Sequence, residues 1–311
     1  MTLKIYMATT FWFGLGKGQR EYGKLTDPYL IQIADSVPNR LESYHYLLKA
    51  RTLPELKASG EKVFVDSGAF SAWTLGAVID LDEYCTFLKD NVDIVRCEDG
   101  IYLASVLDGI GDPLLTWQNQ MAMEARGVKP LPCFHFGEDE RYLEWYIQNY
   151  KYITIGGCVG RSSQDLTVWL DRIWSRYMMD AQGKAKLKVH GFGITSVPIM
   201  ERYPWWSVDS TSWIQTASFG AITVPGIGSL HVSTTSPNKH EKGAHLTTLT
   251  EEEQQFIKAR LVKEGFDPNY IATNYLGRAT YNLRAYQVIE KNINDANAAR
   301  QDHRHMRQEL F

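Results

Sequence analysis

The stretch LPCFHFGEDERYLEWYIQNYKYITIGGCVGRSSQDLTVWLDRIWSRYMMDAQGKAKLKVHGFG, residues 131–193, decides the fold. Three short apolar runs, at 131–136, 152–157 and 187–193, are separated by two segments, 140–149 and 165–179, whose apolar residues recur at helical spacing. Alternating strands and helices imply parallel pairing through right-handed crossovers. Outward from this stretch the unit repeats. Residues 3–8 (LKIYMA), 62–66 (KVFVD), 103–108 (LASVLD) and 206–209 (WSVD) read as strands, and 81–89 and 116–126 as helices. One further candidate at 40–47 brings the strands to eight, which fits a single α/β domain over 1–311, a (β/α)8 TIM barrel, better than two separate sheets.

A length of 311 residues suits one barrel, and 44% hydrophobic with 22% charged residues provides for a sizeable core and excludes a disordered polymer. There is no run of about 18 apolar residues and no apolar leader, so neither membrane spanning nor secretion is expected. Cys85, Cys97, Cys133 and Cys158 form no CxxC pair and read as reduced thiols in a cytoplasmic setting. The net charge of −3 is divided unevenly: residues 1–150 are net acidic and 151–311 net basic, so an anionic partner should approach the second half.

After Asp209 the alternation stops. Residues 211–248, with Gly220, Pro225, Gly226, Gly228, Pro237 and Gly243, show little periodicity and read as a long excursion from the barrel. Helices resume at Thr250, where Glu253 completes a capping box, and again from about 268 to 292. The tail 300–311 is basic and polar and is expected to fray.

Barrel enzymes place their chemistry at the carboxyl ends of the strands, and three such ends carry an aspartate directly after an apolar run: Asp66, Asp108 and Asp209. Any one of them could simply cap a βα loop. Three together point to carboxylates converging on one mouth, because an unpartnered buried acid is costly. Two further ends, Gly156-Gly157-Cys158-Val159-Gly160 and His190-Gly191-Phe192-Gly193, allow either a ligand or a sharp turn to approach the backbone. Gly14, Gly16 and Gly18 do not complete a dinucleotide fingerprint, since its third glycine falls at Gln19, and no GxxxxGK[ST] loop exists.

The ordered set DSGAF (66–70), LDGIGDP (107–113), IGGCVG (155–160), HGFGITS (190–196) and SVDSTSW (207–213) resembles the strand-end motifs of the tRNA-guanine transglycosylase superfamily. DSGAFS, FHFGE and YPWWSVDSTSW are most similar to its DpdA branch of phages and bacteria, which exchanges guanine in DNA for a 7-deazaguanine base. The resemblance implies a TIM barrel in which Asp209 is the nucleophile at C1′, Asp66 the acid/base and Asp108 the reader of the base. It further implies that Phe70 and His190 flank the heterocycle, while Ser67, Gly68, Gly156, Gly157 and Gly191 line the pocket. His190 stands where the tRNA enzymes present Met, and Ala69 replaces the second glycine of DSGG. The partners implied are DNA and a small 7-deazaguanine base, with no cofactor.

The tRNA enzymes carry a CxCxxC…H zinc site after the eighth strand, whereas residues 211–248 contain no cysteine. His231, His240 and His245 lie there at loose spacing and read as exposed side chains rather than a zinc site. Local basic residues would have to carry the DNA: Arg161, Arg202, Lys239, Lys242, Arg278 and Arg284. Trp205, Trp206 and Trp213 could stack on a base or pack the barrel. Three other readings stay open: a tRNA-directed transglycosylase without zinc, a non-catalytic nucleic-acid-binding barrel, and a glycoside hydrolase using paired carboxylates.

Overall fold

A computed structural model describes residues 2–19, 25–49 and 51–308, with side chains as far as residue 299. The strands are β1 (Lys4–Ala8), β2 (Arg40–Ser43), β3 (Phe64–Asp66), β4 (Cys97–Glu98), β5 (Ile101–Tyr102), β6 (Cys133–His135), β7 (Tyr152–Gly156), β8 (Lys188–Gly191), β9 (Ser207–Ser210), β10 (Ala221–Val224) and β11 (Gly228–His231). Seven of them form one curled sheet, all pairs parallel, in the order β3-β2-β1-β9-β8-β7-β6. The expected α/β alternation is therefore present, including the strand anticipated near residue 40.

The run at 103–108 departs from its expected form. It makes single parallel bridges, Val65↔Ala104 toward β3 and Ser105↔Leu131 toward the start of β6, rather than a continuous ladder. Ser105 N donates to Val65 O at 2.9 Å, and Leu131 N donates to Ala104 O at 2.7 Å. Its hydrogen bonds alternate between the two neighbours as in an interior parallel strand, but only one bridge forms on each side, too few for a ladder.

The βα loops are fixed by caps that the sequence spells out. Asp80, Asp112, Asp139 and Ser162 each accept a backbone N–H from the first turn of the helices Leu81–Asp90, Pro113–Ala125, Glu140–Asn149 and Ser163–Ile173. The GDP of residues 111–113 is thus a cap followed by proline in the first turn. The helix expected to end near 179 gives way at Trp174 to a π-type turn, Trp174–Met178.

Period-two alternation sends one side chain of each pair inward. Tyr6, Ala8, Leu41, Phe64, Leu103, Leu131 and Tyr152 form an interior cluster, while outward residues such as Ile5, Met7, Ile153, Val189 and Val208 pack beneath the helices. The region 211–248 is more ordered than its composition suggested. It holds the helix Ser212–Ser218, an antiparallel β10–β11 hairpin and a short 3-10 turn, Leu246–Thr248. The helix Tyr275–Gln308 secures it: Asn282 Oδ1 accepts from Thr223 N (2.7 Å) and its Nδ2 donates to Trp213 O (2.9 Å). The side chains of the tail at 300–311 lie outside the described residues. No described helix is long and apolar enough to cross a membrane.

Candidate functional site

Asp66 ends β3, Asp209 lies in β9 and Asp108 follows the bridging run at 103–106, so parallel strands deliver all three to one end of the sheet. Asp66 accepts from Gly68 N at 3.0 Å and from Ser105 Oγ at 3.2 Å, and Ser105 Oγ in turn accepts from Ser67 N at 2.8 Å. Burial, followed by the negative charges of Asp108 and Asp209, pushes the Asp66 carboxyl up to about 7 against the pull of those hydrogen bonds. The three acids thus share one electrostatic environment, in which the first can carry a proton near neutrality.

Asp209 is buried and held by one hydrogen bond, while the nearby His190 Nε2 is a buried nitrogen with no hydrogen-bond partner. Gly193 N donates to its Oδ1 at 2.9 Å, and His190 Nε2 stands 3.4 Å from the same oxygen. His190 is oriented from behind by Ser207 Oγ at 2.7 Å from Nδ1, and Ser207 meets the Tyr152 hydroxyl at 2.8 Å. Asp108 faces His135, whose Nε2 lies 3.3 Å from Oδ2, while the buried Oδ1 has no hydrogen-bond partner.

His135, Cys133 and Glu138 enter the site from β6 and its loop. Glu138 clasps His135 through Oε1 to Nδ1 (2.9 Å) and through Oε2, which accepts from the His135 amide (2.9 Å). Burial opposes charge on the His135 ring, yet the Cys133 sulfur and Asp108 outweigh it and hold the ring well above its ordinary pKa. Burial and the Asp108 charge push the Cys133 thiol up to about 11. Reading strand ends one residue at a time passes over this set. The available signal was the alternation Leu131, Cys133, His135, which puts all three on the inward face.

A cavity of about 210 Å³ is lined among others by Arg161, Gly193, Thr195, Ser196, Thr211 and Ser212. None of the three aspartates lines it; it reaches Asp209 through Gly193, whose amide holds the carboxylate. Arg161 lies over the Phe136 ring, 4.9 Å from its centroid.

Several expected roles need correction. His190 is fully buried, wedged against Tyr6, Phe64 and Phe192, with ring centroids 5.9, 4.7 and 4.6 Å away. It cannot flank a heterocycle, and the partly buried Phe192 is the ring above it. Gly191 and Gly156 are small because of protein neighbours: a Cβ would meet Ile194 and Trp205 at Gly191, and the His135 ring at Gly156. Gly68 and Gly157 have φ of 75° and 70°, and a Cβ there would crowd Ser43 and Phe136. Trp205 and Trp213 are buried packing residues, and the Trp206 indole donates to Glu98. Phe70 is exposed, beside Trp73.

Among the expected DNA contacts, Arg278 is buried, donating to the carbonyls of Ala217 (3.1 Å) and Ile271 (3.0 Å), and so cannot reach a phosphate. Arg202 is exposed but already forms a two-pronged contact with Asp171 at 2.8 and 2.7 Å. Lys242 and Arg284 are exposed and Lys239 is half-buried. His231 and His245 pair across a β-bridge, and His245 is buried rather than exposed as expected. His231 bonds to Phe219 O and to the side chains of Ser236 and Asn238, and His245 bonds to Ser233 O and Thr247. They do not fit a zinc site. The group of metal-capable side chains found among the described residues is instead Asp108, Cys133 and His135.

Compared with known proteins, the chain matches no protein-family model and no curated protein.

Proposed function

We propose that the chain is a base-exchanging transglycosylase related to the tRNA-guanine transglycosylases, acting on guanine in DNA and inserting a 7-deazaguanine base. In this reading the run at 103–106 serves as the barrel strand between β3 and β6. The observation that carries the proposal is the meeting of Asp66, Asp108 and Asp209 at one end of the sheet, with Asp209 held by a backbone amide and with a buried histidine nitrogen 3.4 Å from it.

The chemistry assigns each acid a different task. A carboxylate oxygen of Asp209 forms a bond to C1′ as the C1′–N9 bond breaks, and the leaving pair on the base takes the proton from Asp66. The incoming base returns that proton to Asp66, attacks C1′ and releases Asp209. Two inversions retain the configuration, and atoms and charge balance without an energy source. Asp108 accepts from the N1–H and 2-amino edge common to guanine and its 7-deaza analogues. The adjoining cavity, with Arg161 and several hydroxyls, suits the backbone phosphate of a flipped-out nucleotide.

Incubation with isotopically labelled guanine and either DNA or tRNA tests this. Label in DNA supports the proposal. Label in tRNA alone overturns the choice of substrate, and label in neither overturns base exchange.

A further inference from the structure

His135 Nε2 faces two electron-rich atoms at once, Asp108 Oδ2 at 3.3 Å and Cys133 Sγ at 3.4 Å. One N–H can point at only one of them. The other ring nitrogen is occupied, because Glu138 Oε1 holds Nδ1 at 2.9 Å. Asp108 Oδ1 is buried with no hydrogen-bond partner, so this carboxylate is under-satisfied. All three donor atoms lie within 4.8 Å of one another.

The two separations from His135 Nε2 are those of ligands around a shared cation. A tetrahedral ion with nitrogen and oxygen at about 2.0 Å and sulfur at about 2.3 Å spaces its ligand atoms about 3.3–3.5 Å apart. A carboxylate on the far nitrogen is the usual support of a metal-binding histidine, fixing its tautomer and ring plane. The donor set of one thiolate, one imidazole and one carboxylate selects a thiophilic borderline ion over magnesium or calcium. Asp108 and His135 are partly exposed and Cys133 is buried beneath them, which gives an entry from the mouth of the sheet.

We infer that Asp108, Cys133 and His135 bind one divalent ion of the zinc class, with Glu138 as the positioning carboxylate. Three protein ligands leave a fourth position for water or substrate. The inference does not rest on base exchange, since ion uptake is read without nucleic acid.

The test is cobalt(II) titration of the chelator-treated full chain, followed by optical absorption and elemental analysis. The expected result is one ion per chain with a thiolate-to-cobalt charge-transfer band in the near ultraviolet, lost on addition of zinc(II). Cys133→Ser removes the band, while His135→Gln and Glu138→Gln each weaken uptake by at least about tenfold. Cys97→Ser, which removes the exposed thiol, changes nothing. Absence of the band, its loss in Cys97→Ser, or uptake unaffected by His135→Gln overturns the site. His135→Gln decides the matter even if the buried Cys133→Ser variant fails to fold.

Discussion

The imidazole Nε2 of His190 stands 3.4 Å from Oδ1 of Asp209, at the end of a buried chain that runs back through Ser207 to Tyr152. In the proposed reaction His190 would therefore position Asp209 rather than offer a stacking surface. His190→Phe, which keeps an aromatic ring but removes both nitrogens, should lower the turnover of base exchange by about 10²-fold with little change in KM. Ser207→Ala should give a smaller loss in the same direction. Steady-state kinetics on both variants checks this; a KM effect with unchanged turnover would contradict it.

Asp66 provides a pH signature. With its carboxyl raised to about 7, it can protonate the leaving base below that pH and progressively loses the proton above it. Single-turnover release of guanine should fall as pH rises through about 7. Asp66→Asn should be slower by about 10²–10⁴-fold and lack that limb. A rate that climbs through the same interval would contradict the assignment.

Glu42 tests the same physics away from the site. It is fully buried on β2; Oε1 accepts from Thr10 Oγ (3.0 Å) and Phe11 N (2.8 Å), and Oε2 has no partner. Burial pushes its carboxyl up to about 7, so between its unfolded value and 7 the folded chain holds the proton more tightly than the unfolded one. Stability should therefore decline as pH rises across that interval and stay lower above it, by at most about 3 kcal/mol from this group. Urea unfolding at pH 5 and pH 8 should show a smaller decline for Glu42→Gln than for the parent chain. Equal declines would show that Glu42 is not the source.

Arg161 and Arg278 should separate cleanly. Arg161→Ala should weaken DNA binding across sequences and reduce the salt slope by about 1. Arg278→Ala should leave the slope unchanged and destabilise the fold by about 1–3 kcal/mol, because two buried carbonyls lose their donor. Salt-dependent binding together with thermal unfolding of both variants distinguishes the two.

Much of the scaffold was readable because strand and helix differ in period: runs such as 152–157 and 187–193 appear as β7 and β8. Thr250 with Glu253 likewise forms the expected capping box. The three strand-end aspartates could be located because parallel topology sends strand ends to one side. What stayed hidden depends on contacts between distant segments. Whether His190 faces a ligand or is covered by Phe192 follows from how the loop after β8 folds back. The glycines of β7 and β8 answer to His135 and Trp205 on neighbouring segments, which a linear pattern does not reveal. Arg278 looks like any helical surface cation until the carbonyls of Ala217 and Ile271 are placed around it. The β10–β11 hairpin did leave a local signal, two short runs flanking Pro225 and Gly226, but glycine-rich surroundings obscured it.

The most direct measurement is intact-protein and peptide mass spectrometry after denaturing a mixture of the chain with a guanine-containing DNA oligonucleotide. The account predicts a covalent deoxyribose adduct on the peptide containing Asp209, absent from Asp209→Ala and discharged by added 7-deazaguanine base. An adduct that persists in Asp209→Ala, or that maps to another residue, would contradict it.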